Sequence, residues 1–169
     1  MTEDDTLRQA EQMYIRYRET IFRMCLLYLK DAGAAEDAMQ ETFLRAWKKR
    51  GSFREESSEK TWLTAIAVNV CRDCLRLAWL RRERKCLPLE AVLQKASADG
   101  VSQKDLDVVA AVGRLPVKLR EAIILRYYQG ERLAEIADML SLSVSGVNAR
   151  LAKAKKRLGE ELREVYFDE

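Results

Sequence analysis

The chain has 169 residues, 48% of them apolar, which suffices for one ordinary domain or for two small, marginally packed ones. Two prolines and seven glycines interrupt it sparsely, and long stretches run at helical period, so an all-α protein is expected. A net charge of +3 conceals strong segregation: residues 1–44 carry five basic and nine acidic side chains, residues 45–86 twelve and five, and residues 113–158 ten and four.

Two separate basic blocks suggest two contacts with a polyanion, because neutralised phosphates supply most sequence-independent affinity for DNA. Either block alone is equally well explained by solvated helix faces. No run of about 18 apolar residues offers a membrane span. The acidic start, Met1 to Asp5, lacks the apolar stretch of a signal peptide. A cytoplasmic protein is therefore expected, without membrane insertion and with its four cysteines as free thiols.

Asp5 or Thr6 is placed to cap a first helix, with Leu7, Ala10, Tyr14, Tyr17, Ile21, Met24, Cys25 and Tyr28 as its apolar positions. It should end near residues 30–33. A second helix is expected from about Ala34 to Arg50, stopped by Gly51, with Ala35, Ala38, Met39, Thr42, Phe43, Ala46 and Trp47 inward. Asp37, Glu41 and Arg45 fall on its opposite face. Residues 51–58 read as a loop containing Phe53. Ser57 or Ser58 is placed to cap a third helix over about 59–80, with Leu63, Ile66, Ala67, Val70, Cys74 and Leu77 buried and Asn69, Arg72 and Arg76 on another face.

Regularity then weakens. Residues 87–112 read as a linker, with short helices possible near Gln94 and from Ser102. Leu115-Pro116 opens a second block. A helix is expected from Val117 to Gln129, with Leu119, Ile123, Ile124 and Tyr127 inward and Gly130 as its stop. The expected domains are thus 1–86 and 113–169, the second ending in an acidic tail.

Leu133 to Leu140, the turn Ser141-Leu142-Ser143 and the basic helix from Val144 have helix-turn-helix chemistry. Small Ala137 lets the two helices approach, and Ile136, Leu140, Val147 and Leu151 supply their shared core. Ser143 is placed to cap the second helix, turning its positive end toward a phosphate. Such a helix enters the major groove and shows its early residues to base edges. Ser145, Asn148, Ala149 and Lys153 are the base-facing candidates, and Arg150, Lys155, Lys156 and Arg157 are better placed for phosphate.

Catalytic chemistry is absent. There is no histidine, and no phosphate-binding loop or nucleophile motif. Cys71 and Cys74 have CxxC spacing that Cys25 and Cys86 could complete as a zinc site, but both lie mid-helix in an apolar-periodic run. No enzyme activity, cofactor or metal is expected.

The stretch Ala35-Glu36-Asp37-Ala38-Met39-Gln40-Glu41-Thr42-Phe43-Leu44-Arg45-Ala46-Trp47, followed by residues 62–73, resembles an extracytoplasmic-function (ECF) sigma factor of bacterial RNA polymerase. The second block resembles the same family from Leu115-Pro116 through Leu158. The resemblance implies that Asp37, Gln40 and Glu41 dock on the clamp helices of the polymerase core enzyme. It implies that Ser52, Phe53 and Arg54, with Asn69, Arg72 and Arg76, open the downstream promoter element by capturing unstacked bases. Ser143, Ser145, Asn148, Ala149, Arg150, Lys153, Lys155, Lys156 and Arg157 would then hold the upstream promoter DNA as duplex. A monomer acting with core polymerase, and held in check by an anti-sigma factor, is the family expectation. The chain departs from many members at Asn148 and Ala149. A dimeric repressor or activator, or a helical interaction protein without a DNA role, are the competing classes; the first would prefer palindromic half-sites.

Overall fold

The computed structural model describes residues 2–53, 57–81, 89–98, 100 and 102–166. Helices α1 (Glu3–Leu29), α2 (Ala32–Lys48) and α3 (Glu59–Arg81) form a first module. Helix α4 (Leu89–Ala98) and α5 (Gln103–Arg114) lead into α6 (Val117–Ile123), α7 (Leu133–Leu140) and α8 (Val144–Tyr166). The described residues contain no strand, so the architecture is all-α.

Helix α1 starts earlier than expected. Thr2, rather than Asp5 or Thr6, is the cap: its hydroxyl accepts from the Asp5 amide at 3.3 Å, while the Asp5 carboxylate accepts from the Thr2 amide at 3.2 Å. This reciprocal box satisfies two otherwise orphaned donors. The first half of α1 then outruns the bundle, leaving Leu7 53% exposed although its spacing suggested an inward position. Lower on the helix, Ile21, Met24, Cys25 and Tyr28 are buried. Lys30 closes α1 in the left-handed region at φ 59°, and Asp31 at once caps α2 by accepting from the Ala34 amide at 2.8 Å. Two residues therefore make the whole corner.

Ala35, Ala38, Thr42 and Ala46 line the buried face of α2, and their small side chains allow close approach to α1 and α3. The Thr42 hydroxyl donates to the Ala38 carbonyl at 2.7 Å and so is buried without an orphaned group. Ser58 caps α3 by accepting from the Thr61 amide. Leu63, Ile66, Ala67 and Val70 are buried as expected, but Cys74 is half-buried and Leu77 is 43% exposed. The stripe rotates outward because Cys71, not Cys74, takes the deep position, donating its thiol to Cys25 Sγ at 3.6 Å. That hydrogen bond, with burial, pushes the Cys71 thiol far above its ordinary range. Such a thiol is a packing group rather than a nucleophile. Among the described residues no cluster suits a metal ion, and Cys86 lies outside them.

Helix α5 packs against α6, α8 and α1 and buries Leu106, Ala111 and Val112. The helix opening at Val117 does not continue regularly. From Ile124 to Tyr128 it widens into a π-turn, with the Gln129 amide bonding the Ile124 carbonyl at 3.0 Å. The wider turn shifts the register of everything after it. Leu125 faces the core, and Tyr127, expected inward, is 54% exposed. Ile136, Ala137, Leu140, Val147, Leu151 and Ala154 then close the core between α7 and α8. One apolar cluster draws on α1, α2, α3, α5, α6, α7 and α8, so the two modules share a buried boundary.

Candidate nucleic-acid and polymerase interfaces

The turn before α8 is built to aim that helix. Ser141 ends α7 in the left-handed region at φ 55°, and the Leu142 amide reaches back to the Ala137 carbonyl at 2.9 Å. Ser143 Oγ accepts from the Gly146 amide at 3.0 Å, satisfying one of the first-turn amides that have no partner within the helix. A Cβ on Gly146 would stand 3.3 Å from that hydroxyl oxygen, so glycine keeps the cap uncrowded.

Beyond the cap, Ser145, Asn148, Ala149, Lys153 and Lys156 are exposed at spacings of three and four, which puts them on one face of α8. Arg157 is exposed beside them, and Lys155 leans over the Tyr127 ring at 5.2 Å. A cleft of about 350 Å³ between the start of α6 and α8 is lined by Pro116, Lys118, Leu119, Ala149, Arg150, Lys153 and Arg157. Lys118 thus joins the basic face from another helix. Its position in sequence gave no sign of this, since it lies 35 residues from Lys153.

On the first module, Asp37 and Gln40 are exposed on α2 and Glu41 is partly so. Glu41 accepts from Arg45 Nε at 3.0 Å, and the Arg45 terminal nitrogens both lie 3.2 Å from Asp73 Oδ2 on α3. Those two carboxylates, Glu41 foremost, raise the Arg45 pKa, and they pin α2 to α3 behind the acidic face. Leu44 follows Asp37, Gln40 and Glu41 at helical spacing and is 54% exposed. Leu44 thus sets an exposed apolar side chain beside those polar ones.

The downstream set is brought together only in part. Ser52 donates to the Lys49 carbonyl at 2.7 Å, closing a 3₁₀ turn that presents Phe53. The Phe53 ring packs against Trp62 with centroids 5.1 Å apart, and remains partly exposed. Arg54 lies outside the described residues. Asn69 is exposed on α3, and Arg76 pairs with Asp73 at 3.4 Å.

Arg72 and Arg150, expected to face DNA, both turn to Glu121 on α6. Arg72 forks onto it, with Nη2 3.0 Å from Oε1 and Nε 3.3 Å from Oε2, and Arg150 Nη1 lies 3.1 Å from Oε1. The Tyr28 phenol also donates to Oε2. The buried carboxylate therefore accepts four hydrogen bonds from α1, α3 and α8, which fills its acceptor capacity. Next to it, buried Arg120 donates to the Tyr28 carbonyl at 2.7 Å and to the Leu115 carbonyl at 2.8 Å. A cation there answers the negative end of α1, whose last turn has no basic residue of its own. Burial lowers the Arg120 pKa without removing its charge at neutral pH. A second set crosses the boundary nearby: Lys60 Nζ donates to the Gln129 carbonyl at 2.7 Å, Gln129 Nε2 to Thr64 Oγ1 at 3.0 Å, and Thr61 Oγ1 to Glu131 Oε2 at 2.8 Å.

Residues 13–85 match the Sigma-70 region 2 family, and residues 105–158 match Sigma-70 region 4. The ECF RNA polymerase sigma factor SigM of Mycobacterium tuberculosis is 33% identical over 152 residues, covering 90% of this chain and 76% of its own. The chain belongs to the ECF sigma factor family. SigW of Bacillus subtilis, another ECF sigma factor, is 29% identical over 161 residues, covering 88% of this chain and 86% of its own. The fold matches the sigma factor RpoE of Bartonella quintana, solved with the anti-sigma factor NepR, at a TM-score of 0.74, 22% identity and coverage of 90% and 96%. This ECF sigma factor directs RNA polymerase to promoters in transcription initiation. Its region 2 supplies α1 to α3, its region 4 supplies α5 to α8, and Glu121 sits where the two regions meet.

Proposed function

We propose that the work of initiation is divided between the two modules. Region 2 docks on the polymerase clamp through Asp37, Gln40 and Glu41, with Leu44 adding an apolar contact, and opens the downstream element. Phe53 and Asn69 receive unstacked bases there while Ser52, Arg54, Arg72 and Arg76 hold the strand. Region 4 lays α8 in the major groove of the upstream element. Ser145, Asn148, Ala149 and Lys153 meet base edges, the Ser143-capped end of the helix faces phosphate, and Arg150, Lys155, Lys156 and Arg157, joined by Lys118, neutralise the backbone.

One observation carries this reading: the capped start of α8 leaves Ser145, Asn148, Ala149 and Lys153 bare on one face, with a basic cleft beside them. Among the described residues, all four of these side chains are exposed. The sigma factor acts as a monomer, since its two contacts are unlike each other and joined in one chain. It works in the cytoplasm without enzymatic activity of its own, and an anti-sigma protein holds it until needed. Among the described residues no helix is long and apolar enough to cross a membrane.

Run-off transcription with purified core polymerase tests the division. The chain should convert core enzyme into a promoter-specific form. Asp37→Ala with Gln40→Ala should lose core binding, and Lys153→Ala should lose promoter binding while core binding survives. If both variants lose the same step, the modules do not divide the work in this way.

A further inference from the structure

Tying Arg72 and Arg150 to one carboxylate has a cost for binding, because neither guanidinium can meet a phosphate while it is held there. We propose that Glu121 is an internal stand-in for a DNA phosphate, which latches region 2 to region 4 and withholds both arginines until polymerase draws the regions apart. The inference rests on the roles given above to Arg72 and Arg150.

The chemistry of the carboxylate fits that part. It is 2% exposed, takes a forked bond from one arginine and a single bond from the other, and is completed by a buried phenol. Arginine forks bind carboxylate and phosphate through the same geometry, so the two acceptors compete for the same donors. The arginines remain partly exposed, at 38% and 22% of their side chains, so they can exchange one acceptor for the other without crossing the core. The second set, from Lys60, Thr61 and Thr64 to the π-turn and Glu131, fastens the same boundary through groups that have no assigned part in DNA binding. A closed state held at two places lowers apparent affinity for DNA in proportion to the open fraction. Polymerase docking on the α2 face shifts that balance only if it binds the open form better.

Fluorescence anisotropy of the free full-length chain with a short duplex carrying a transcribed upstream element provides the test. Glu121→Gln should bind about tenfold tighter than wild type. Removing a negative charge could do this by itself, so Tyr28→Phe and Lys60→Ala are the deciding variants. The first changes no charge, and the second removes a positive one, which would weaken binding if only net charge mattered. Opening the latch predicts tighter binding for both and a larger radius of gyration by X-ray scattering. In assembled holoenzyme all three variants should match wild type. If Tyr28→Phe and Lys60→Ala bind the duplex no better than wild type, while Arg150→Ala still weakens holoenzyme on its promoter, the latch is wrong and the division of labour stands. If Arg150→Ala leaves holoenzyme binding unchanged, the role given to Arg150 fails and takes the latch with it.

Discussion

The phenol of Tyr28, fully buried at the end of α1, donates across the module boundary to the carboxylate of Glu121 on α6. Burial first, and then the Glu121 charge, push the Tyr28 pKa far above its ordinary 10.0. Tyr28→Phe keeps the ring and deletes only the donor, leaving a buried carboxylate short of one partner. Urea unfolding at pH 8 should show a loss of about 1–2 kcal/mol. The sign of the pH dependence follows from the raised pKa. The folded chain keeps the phenol protonated while the unfolded chain loses its proton above 10.0, so the benefit of Tyr28 is whole below that pH and declines above it. The gap between wild type and Tyr28→Phe should therefore narrow as pH rises past 10.

Glu131 offers the opposite case. Burial raises its carboxyl pKa above 4.5, and the Thr61 hydrogen bond and the charge of Lys60 offset this only in part. A carboxyl raised on folding contributes stability below its unfolded pKa and loses it as pH rises through the folded value. At neutral pH the ionised group is thus a cost. Glu131→Gln should stabilise the chain at pH 7, and the advantage should fade as pH falls toward 4.5. Thermal melts of both proteins across that range measure it.

Ser143 and Asn148 sit close together at the start of α8 but should fail differently. Ser143→Ala removes the hydroxyl that caps the Gly146 amide and should lower stability by about 1 kcal/mol, with weaker promoter binding. Asn148 is exposed, so Asn148→Ala should leave the melt unchanged. Its side chain suits the adenine edge in the major groove. Selection of bound sequences by wild type and variant should show a preference lost at one position, whereas identical preferences would exclude the contact.

Leu44 tests the docking face. Its side chain is already 54% exposed, so Leu44→Ala should not alter folding. Truncating an apolar side chain at the edge of an interface should cost about 1 kcal/mol, equivalent to a roughly fivefold loss of affinity for core polymerase. Competition against wild type for limiting core enzyme would read this directly.

Much of this architecture is legible from spacing. Ser58 and Ser143 are found as caps where a hydroxyl residue precedes a periodic run, and Ile136, Leu140, Val147 and Leu151 form the helix-turn-helix core. What escapes the sequence has specific causes. The π-turn at Ile124 inserts a change of register that no 3.6-residue period contains, so Tyr127 points outward. Leu7 keeps the helical spacing of the core but lies where α1 has outrun its neighbours. The arginines of the candidate site are the clearest example. Arg72 and Arg150 read as surface cations from their own helices, and their partner lies 49 and 29 residues away. Charge pairs across a module boundary depend on how the modules meet, which local pattern does not encode.

Gripping two different stretches of promoter while bound to polymerase is the function proposed for this chain. Transcription of a randomised promoter library by core enzyme loaded with this chain, followed by sequencing of the transcribed templates, addresses it in one step. Two unlike blocks at a fixed separation should emerge, and Asn148→Ala should alter only the upstream one. Recovery of a single palindromic block, or of templates no different from those used by core enzyme alone, would contradict the account.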